Sequence, residues 1–392
     1  MLSLGKTVRH LARHRRQWER LWKVPPGGLA RAAEPPVSPL TEVTGFGSNP
    51  GALRMFTFVP ASVPSSPALV VVLHGCTQTA ASYDYGAGWS TLAERYGFAL
   101  LLPEQQRANN PKTCFNWFCP DDTRRGRGEA ASIRQMVETM ILDQGIDRRR
   151  VFVTGLSAGG AMTSVMLATY PEVFAAGAII AGLPYGAAAN VAEAYESMFQ
   201  GVSRPASEWG DLVRQASRYK GPWPRVSVWH GDADPTVKPM NAGEIVKQWT
   251  DVHGLDAAAA LSEMVDGYPR QAWRTRAGDI AIESYTITSM AHGTPLATGD
   301  GDGHAGAAGA FLLDVGISSS YHIAKFFGLT EAKRVRVPER RVPIVPAQAR
   351  ADAENIEEDA AGAGSDQNEG PSLPHHIETV ITRALKAAGL MK

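Results

Sequence analysis

Cysteine is scarce in this chain, with only Cys76, Cys114 and Cys119 among 392 residues. Three thiols close no disulfide framework, and Cys114-x-x-x-x-Cys119 has no matching second pair, which excludes a zinc signature. In an oxidising compartment Cys76 has Cys114 as a partner, or Cys114 has Cys119. The expectation from scarcity alone is three reduced thiols. Long apolar runs are also missing: none approaches the roughly 18 to 20 residues that span a bilayer, so a transmembrane helix is excluded. No charge of one sign dominates, because 39 Lys and Arg balance 39 Asp and Glu, and no basic excess points to nucleic acid. The first 24 residues lack an apolar h-region of roughly 7 to 15 residues. Lys6, Arg9, Arg13, Arg15, Arg16, Arg20 and Lys23 interrupt them, so a secretory signal is not expected and the cytoplasm is the favoured location.

What is present divides the chain into five parts. Leu4, Val8, Leu11, Trp18, Leu21 and Trp22 recur at near-helical spacing and predict a basic amphipathic helix over 1–24. Residues 25–42 are rich in Pro, Gly and Ala and read as a linker. The apolar runs at 53–59, 68–73, 98–102, 151–154, 178–181, 225–229 and 280–287 predict strands of one α/β domain over 43–332. Helices around 129–144, 158–170, 241–253 and 318–327 would cover them. Acidic, small residues at 351–374 lie in a tether spanning 333–374, and 375–392 forms a last short amphipathic helix. The two terminal helices are candidates for docking on a granule or membrane surface, or on a protein surface.

The chemistry is carried by Gly155-Leu156-Ser157-Ala158-Gly159, which lies between the apolar run 151–154 and the helical stretch that follows. A serine hydroxyl is a weak nucleophile, so it must be thrust from the sheet toward a base, on a turn that tolerates only small neighbours. An acid and then a histidine should follow in chain order, each after a later strand. The strand at 225–229 opens into His230-Gly231-Asp232-Ala233-Asp234-Pro235, where Asp232 and Asp234 are both candidate acids and an Asp-Pro turn is the plain alternative. The strand at 280–287 ends at Ser289-Met290-Ala291-His292, which makes His292 the base; His230, just before the acid, reads as structural. Two backbone donors should hold the oxyanion. Ala158 follows the serine, and the strand at 68–73 runs into His74-Gly75-Cys76-Thr77-Gln78, whose Cys76 amide is the second. Trp117, in the aromatic loop 109–123, is a candidate for gripping substrate, as core packing is its other use; Tyr185, Trp209 and Trp223 mark a second aromatic stretch at 183–223.

Together the segments His74-Gly75-Cys76-Thr77-Gln78, Cys114-Phe115-Asn116-Trp117, Gly155 to Met162, His292-Gly293-Thr294-Pro295 and Gly316-Ile317-Ser318-Ser319-Ser320 resemble polyhydroxybutyrate-depolymerase-type esterases over roughly residues 45–330. The resemblance implies an α/β-hydrolase fold, with a mostly parallel central sheet flanked by helices and with extended N- and C-terminal tails. It implies a serine esterase that needs no cofactor and no metal. It selects Asp234 as the acid, through the H-G-x-x-D-x-x-V segment common in serine hydrolases of this fold. The implied substrates are short-chain polyhydroxyalkanoates or their oligomers. Feruloyl and acetylxylan esterases are similar, and a granule-binding protein on a hydrolase scaffold is the alternative from another class. Secreted members of the family keep an extracellular location open.

Overall fold

The computed structural model describes residues 37–331. The helices expected at 1–24 and 375–392, the tether at 333–374 and most of the linker at 25–42 lie outside the described residues. Ten strands form the main sheet: β1 (Thr41–Val43), β2 (Arg54–Phe58), β3 (Leu69–Leu73), β4 (Ala99–Glu104), β5 (Val151–Leu156), β6 (Ala176–Ile180), β7 (Arg225–Gly231), β8 (Leu261–Val265), β9 (Tyr268–Arg274) and β10 (Ile280–Ile287). Their spatial order is β1-β2-β4-β3-β5-β6-β7-β10-β9-β8. The six strands from β4 to β10 in that order are parallel. Antiparallel pairs close both edges, β1 with β2 on one side and β9 with β8 on the other.

Parallel strands are covered on both faces, so they read as unbroken apolar runs rather than alternating ones. In β3 every residue is buried. Leu69, Val71 and Leu73 enter one core and Val70 and Val72 the other, as the two-residue period of a strand requires. Helices α1 (Ala80–Ala87), α2 (Trp89–Tyr96), α3 (Pro120–Thr123), α4 (Gly128–Gln144), α5 (Ala158–Thr169), α6 (Val191–Phe199), α7 (Ala206–Ala216), α8 (Met240–His253) and α9 (Ser319–Phe326) occupy the connections. Ile133 and Met136 of α4, Met162 and Met166 of α5, and Ile245 and Trp249 of α8 fill the first core. Tyr83 of α1, Trp89 and Leu92 of α2, and Ile323 and Phe326 of α9 fill the second. This is the α/β-hydrolase fold, a mostly parallel sheet between two helical layers.

The sheet begins at Thr41, inside the stretch read as linker, because Thr41, Glu42 and Val43 pair with Thr57, Phe56 and Met55. The aromatic stretch 183–223 holds α6 and α7. Trp209 of α7 is fully buried, with its Nε1–H donating to Glu244 Oε2 at 2.7 Å. After β10, a two-stranded parallel sheet of β11 (Thr294–Leu296) and β12 (Leu312–Asp314) fastens the chain that follows His292. Among the described residues no helix is long and apolar enough to cross a membrane.

A buried carboxyl ties α4 to the loop beyond β4. Glu129 is 1% exposed; its Oε1 accepts from Gln105 Nε2 at 2.5 Å and its Oε2 from the Asn116 amide at 2.8 Å. Burial, reinforced by nearby Asp122, pushes this carboxyl up to about 8 against those hydrogen bonds. Between its ordinary value of 4.5 and about 8, the folded protein keeps the proton that the unfolded chain has lost. Stability therefore declines as pH rises through that window, at a limiting slope of about 1.4 kcal/mol per pH unit. Glu129→Gln removes the titration and sacrifices one acceptor. The variant should melt below wild type at pH 5, with the gap narrowing by pH 8.5; parallel melting curves across that range would refute the assignment.

Candidate active site

At the end of β5 the chain turns through Ser157 at φ 58°, ψ −116°, then enters α5. Such a backbone costs a non-glycine residue on the order of 1–3 kcal/mol and persists only where its surroundings enforce it. The enforcement here is close backbone packing. A Cβ on Gly159 would lie 2.2 Å from the Leu73 carbonyl oxygen, and one on Gly155 would lie 2.5 Å from the Gly159 backbone. Ser157 N–H donates to Ile180 O at 2.9 Å, anchoring the turn to β6. All twelve residues of α5 are buried, so its N-terminus points at the turn from a fixed helix.

The structure brings Ser157, His292 and Asp234 together. His292 Nε2 is 2.9 Å from Ser157 Oγ, and His292 Nδ1 is 2.7 Å from Asp234 Oδ2. The two loops that supply the histidine and the acid are packed on each other: a Cβ on Gly231 would meet Met290 O at 2.2 Å, and Ala233 N–H donates to that same carbonyl. Asp234 Oδ1 accepts from the amides of Thr236 and Val237 at 2.8 and 2.9 Å. Burial raises the Asp234 carboxyl, but hydrogen bonds from His230 and His292 outweigh that and hold it well below the usual carboxylate range. It is therefore an ionised partner for an imidazolium. Asp232, the competing acid, is exposed and accepts from the Ser289 amide at 2.6 Å, closing the turn that leads to His292. His230 Nε2–H donates to Val237 O at 2.9 Å and lies 3.3 Å from Asp234 Oδ2, buried behind the acid.

Facing the serine is the loop after β3, whose Cys76 lines the same cavity as Ser157. Cys76 forms a disulfide with Cys114, 38 residues away, with their Cα atoms 4.2 Å apart, so the expectation of three reduced thiols is corrected. Cys119 alone is free and half-buried. The pairing arises because the 106–118 loop folds back on the β3 loop, where Thr77 N–H also donates to Lys112 O at 2.7 Å. His74 is buried behind this loop. Burial pushes its imidazole down to about 4, partly offset by its bond to Gly75 O. Nε2 accepts from the Gln105 amide at 3.1 Å, which leaves the proton on Nδ1 to donate to Gly75 O at 2.8 Å. Because Gly75 C=O and Cys76 N–H share one planar peptide unit, that bond also fixes the direction of the Cys76 N–H. Among the described residues, neither the Cys76 nor the Ala158 amide meets a protein acceptor.

Beside Ser157 lies a cavity of about 170 Å³ whose apolar wall is formed by Leu156, Met198, Pro235, Ala291 and Phe311. Trp117, expected in the cleft, does not line it. Its indole is 7% exposed, packed in the first core and edge-on to Phe118 at 5.5 Å. A large ring two residues from fully buried Phe115 is drawn into the core by the apolar area it removes from water. Sequence reasoning missed Met198, Phe311 and Gln78 as lining residues. Gln78 had a signal, since it closes the His74–Gln78 motif, and Met198 lies in the 183–223 stretch marked by its aromatics; Phe311 sits where no motif stands. The arrangement is competent to pass the Ser157 proton to His292 while the hydroxyl attacks an acyl carbon, and two free amides stand near for the oxygen.

Comparison with known proteins agrees with this chemistry. Residues 55–266 match the family model described as Esterase PHB depolymerase. The chain is 50% identical over 291 residues to poly(3-hydroxyalkanoate) depolymerase C of Paucimonas lemoignei, covering 74% of this chain and 70% of that protein. It is 36% identical over 297 residues to feruloyl esterase B of Neurospora crassa, covering 74% and 92%. The structure of an acetyl xylan esterase from Aspergillus awamori superposes with a TM-score of 0.63 at 29% identity, covering 74% of this chain and 99% of that one.

One variant and one chemical treatment probe the geometry. Gly159→Ala places a methyl against the Leu73 carbonyl, which cannot yield, and should cost about 3 kcal/mol or more. Its melting temperature and esterase activity should fall together; a stable, fully active variant would show that the turn relaxes freely. Reducing the disulfide should cost about 4 kcal/mol from chain entropy alone. It should also lower kcat more than it raises KM, because the Cys76 amide loses its covalent hold. Kinetics on thiol-counted, still-folded protein check this, and an unchanged kcat would separate the disulfide from catalysis.

Proposed function

This chain belongs to the esterase PHB depolymerase family and is a serine esterase; from that premise we propose that it hydrolyses short-chain poly(3-hydroxybutyrate) or its oligomers with Ser157, His292 and Asp234 as the triad. Ser157 Oγ bonds to the acyl carbon as its proton passes to His292 Nε2, while Asp234 holds the imidazolium. The amides of Cys76 and Ala158 donate to the oxyanion. Collapse of the tetrahedral intermediate breaks the ester C–O bond, and His292 returns the proton to the leaving alcohol. Water then attacks the acyl-serine, giving its proton to the same base, and the freed acid leaves a restored serine.

The observation that carries the substrate reading is the cavity. At about 170 Å³ with an apolar wall it suits a short aliphatic acyl group, being smaller than the roughly 300–1,000 Å³ that enclose drug-sized ligands. The name of the relative at 50% identity, a poly(3-hydroxyalkanoate) depolymerase, supports the same substrate. The likeness to an acetyl xylan esterase favours a second reading, removal of acetyl groups from a polysaccharide, since acetyl is also small. A feruloyl group is bulkier than either acyl group, so the small cavity volume supports it less, and membership of an esterase family argues against a catalytically silent binding scaffold. The Cys76–Cys114 disulfide supports an oxidising compartment over the cytoplasm. We keep as part of the proposal a catalytic unit over 43–332 and surface contact through the terminal segments.

The test compares hydrolysis of p-nitrophenyl butyrate, a 3-hydroxybutyrate trimer, acetylated xylan and a feruloyl sugar by wild type and Ser157→Ala. The variant should lose at least about 10⁴-fold in kcat. Wild type should cleave the trimer with the highest kcat/KM among the natural esters. Faster release of acetate from xylan would move the assignment to the second reading, and activity surviving in Ser157→Ala would remove the triad.

A further inference from the structure

The loop that carries the Cys76 amide ends in a side chain that the mechanism above does not use. Gln78 is 8% exposed and lines the cavity beside Ser157. Its Oε1 accepts from the Gly75 N–H at 2.8 Å, and its own N–H donates to Gly75 O at 3.3 Å, so main chain and side chain are both tied to the residue preceding Cys76. A backbone N–H can only donate, so the oxygen of the amide must face Gly75 and the NH₂ must face away from it. Among the described residues this NH₂ group has no hydrogen-bond partner, and it is not among the sealed polar atoms of the interior. A nearly buried amide with its oxygen satisfied and its nitrogen left open, in a wall otherwise rich in Leu, Met, Pro and Phe, is a donor aimed at a ligand.

We propose that Gln78 is a catalytic residue whose Nε2–H₂ donates to the oxygen of the scissile carbonyl, as a third donor beside the amides of Cys76 and Ala158. The proposal rests on the serine-esterase reading of Ser157. Charge grows on that oxygen only as the tetrahedral intermediate forms, so a donor held in place beforehand acts mainly on kcat. The hold is already built: Gln78 leans on Gly75, Gly75 is fixed by His74, and Cys76 is fastened by its disulfide. The ester needs no movement of this loop to find the donor.

Two substitutions separate donation from scaffolding. Gln78→Glu keeps an oxygen for the Gly75 N–H but replaces the donor with a second oxygen; Gln78→Leu removes both. With p-nitrophenyl butyrate above the pH at which the new carboxyl ionises, both variants should lose about 10- to 100-fold in kcat, with KM changed less than about 3-fold. Inhibition by a trifluoromethyl ketone, which forms a tetrahedral adduct on the serine, should weaken by a similar factor. Wild type and Ser157→Ala run alongside, so a failure of the serine mechanism is read independently. Wild-type kcat in Gln78→Glu with a loss confined to Gln78→Leu would assign Gln78 to loop support and overturn the proposal. So would a rise in KM with kcat and ketone affinity intact. Thermal melts identify a misfolded variant, and the comparison then rests on Gln78→Glu, which preserves the tether.

Discussion

The approach of one backbone to another, where the turn at Ser157 lies on the end of β3, is the constraint on which the site depends. In the parallel register Leu73 stands opposite Gly155, and a Cβ on Gly159 would collide with the Leu73 carbonyl. The same register decides two things. It forces the serine into a left-handed backbone that lifts the hydroxyl off the sheet. It also sets the start of the loop that leaves β3, whose Cys76 lines the same cavity as Ser157. The proposed nucleophile and the loop of the proposed oxyanion donor thus meet at one contact between adjacent strands, and glycine is required there because the space is occupied by backbone, which cannot rotate away.

Around that contact, polar groups that would be costly alone are made affordable by connection. His74, Gln105 and Glu129 are each buried, and each meets the next: Glu129 takes a Gln105 side-chain N–H, and the Gln105 amide meets His74, which holds Gly75 O. Gln105 Nε2 also donates to Cys114 O at 3.1 Å, so the chain of hydrogen bonds and the disulfide grip the same two loops. On the other side Asp234 is satisfied by two amides and two imidazoles. A buried carboxylate with four partners stays ionised, and its charge is then available to a histidine rather than spent on its own desolvation. The site is rigid because the groups that form it cannot leave without stranding a neighbour.

Most of the sheet was legible in the sequence because parallel strands buried on both faces leave continuous apolar runs; β10 was bounded correctly at both ends, and β3, β5 and β7 began within a residue of expectation. The segments that carry Ser157, Asp234 and His292 were legible for a related reason: each is the loop that follows a strand, and a turn made of Gly and small residues interrupts the apolar run. Asp232 and Asp234 were not separable by local pattern, since both precede or enter the same turn; only their three-dimensional partners distinguish the exposed one from the buried one. Cys76–Cys114 was one of two pairings the sequence left open beside three reduced thiols, and the choice among them depends on how the 106–118 loop folds back across 38 residues, which no spacing rule encodes. Trp117 and Trp209 misled in the same direction. Large rings carry the most apolar area to bury, and residues rich in them are drawn to cores before clefts.

The residues proposed to carry the chemistry and those that wall the cavity come from different kinds of structure. Ser157, Asp234 and His292 stand at the ends of parallel strands whose geometry is common to the fold. The cavity wall is assembled from α6, through Met198, and from the turn before β12, through Phe311. Phe311 sits at φ 63°, a conformation costly for a bulky residue; its carbonyl accepts from Thr294 N–H at 2.9 Å, and its ring meets His292 edge-on at 6.0 Å. The wall residue is therefore held by the same segment that carries His292, so a substitution at Phe311 disturbs that histidine as well. Met198 is tied on the acid's side: it reaches the cavity from a helix capped by Asn190 at its N-terminus, and its carbonyl accepts from the N–H of Lys238, next to Val237, whose own N–H donates to Asp234. Both sides of the cavity wall are therefore braced on the loops that carry Asp234 and His292, the Met198 side through Lys238 and the Phe311 side through Thr294.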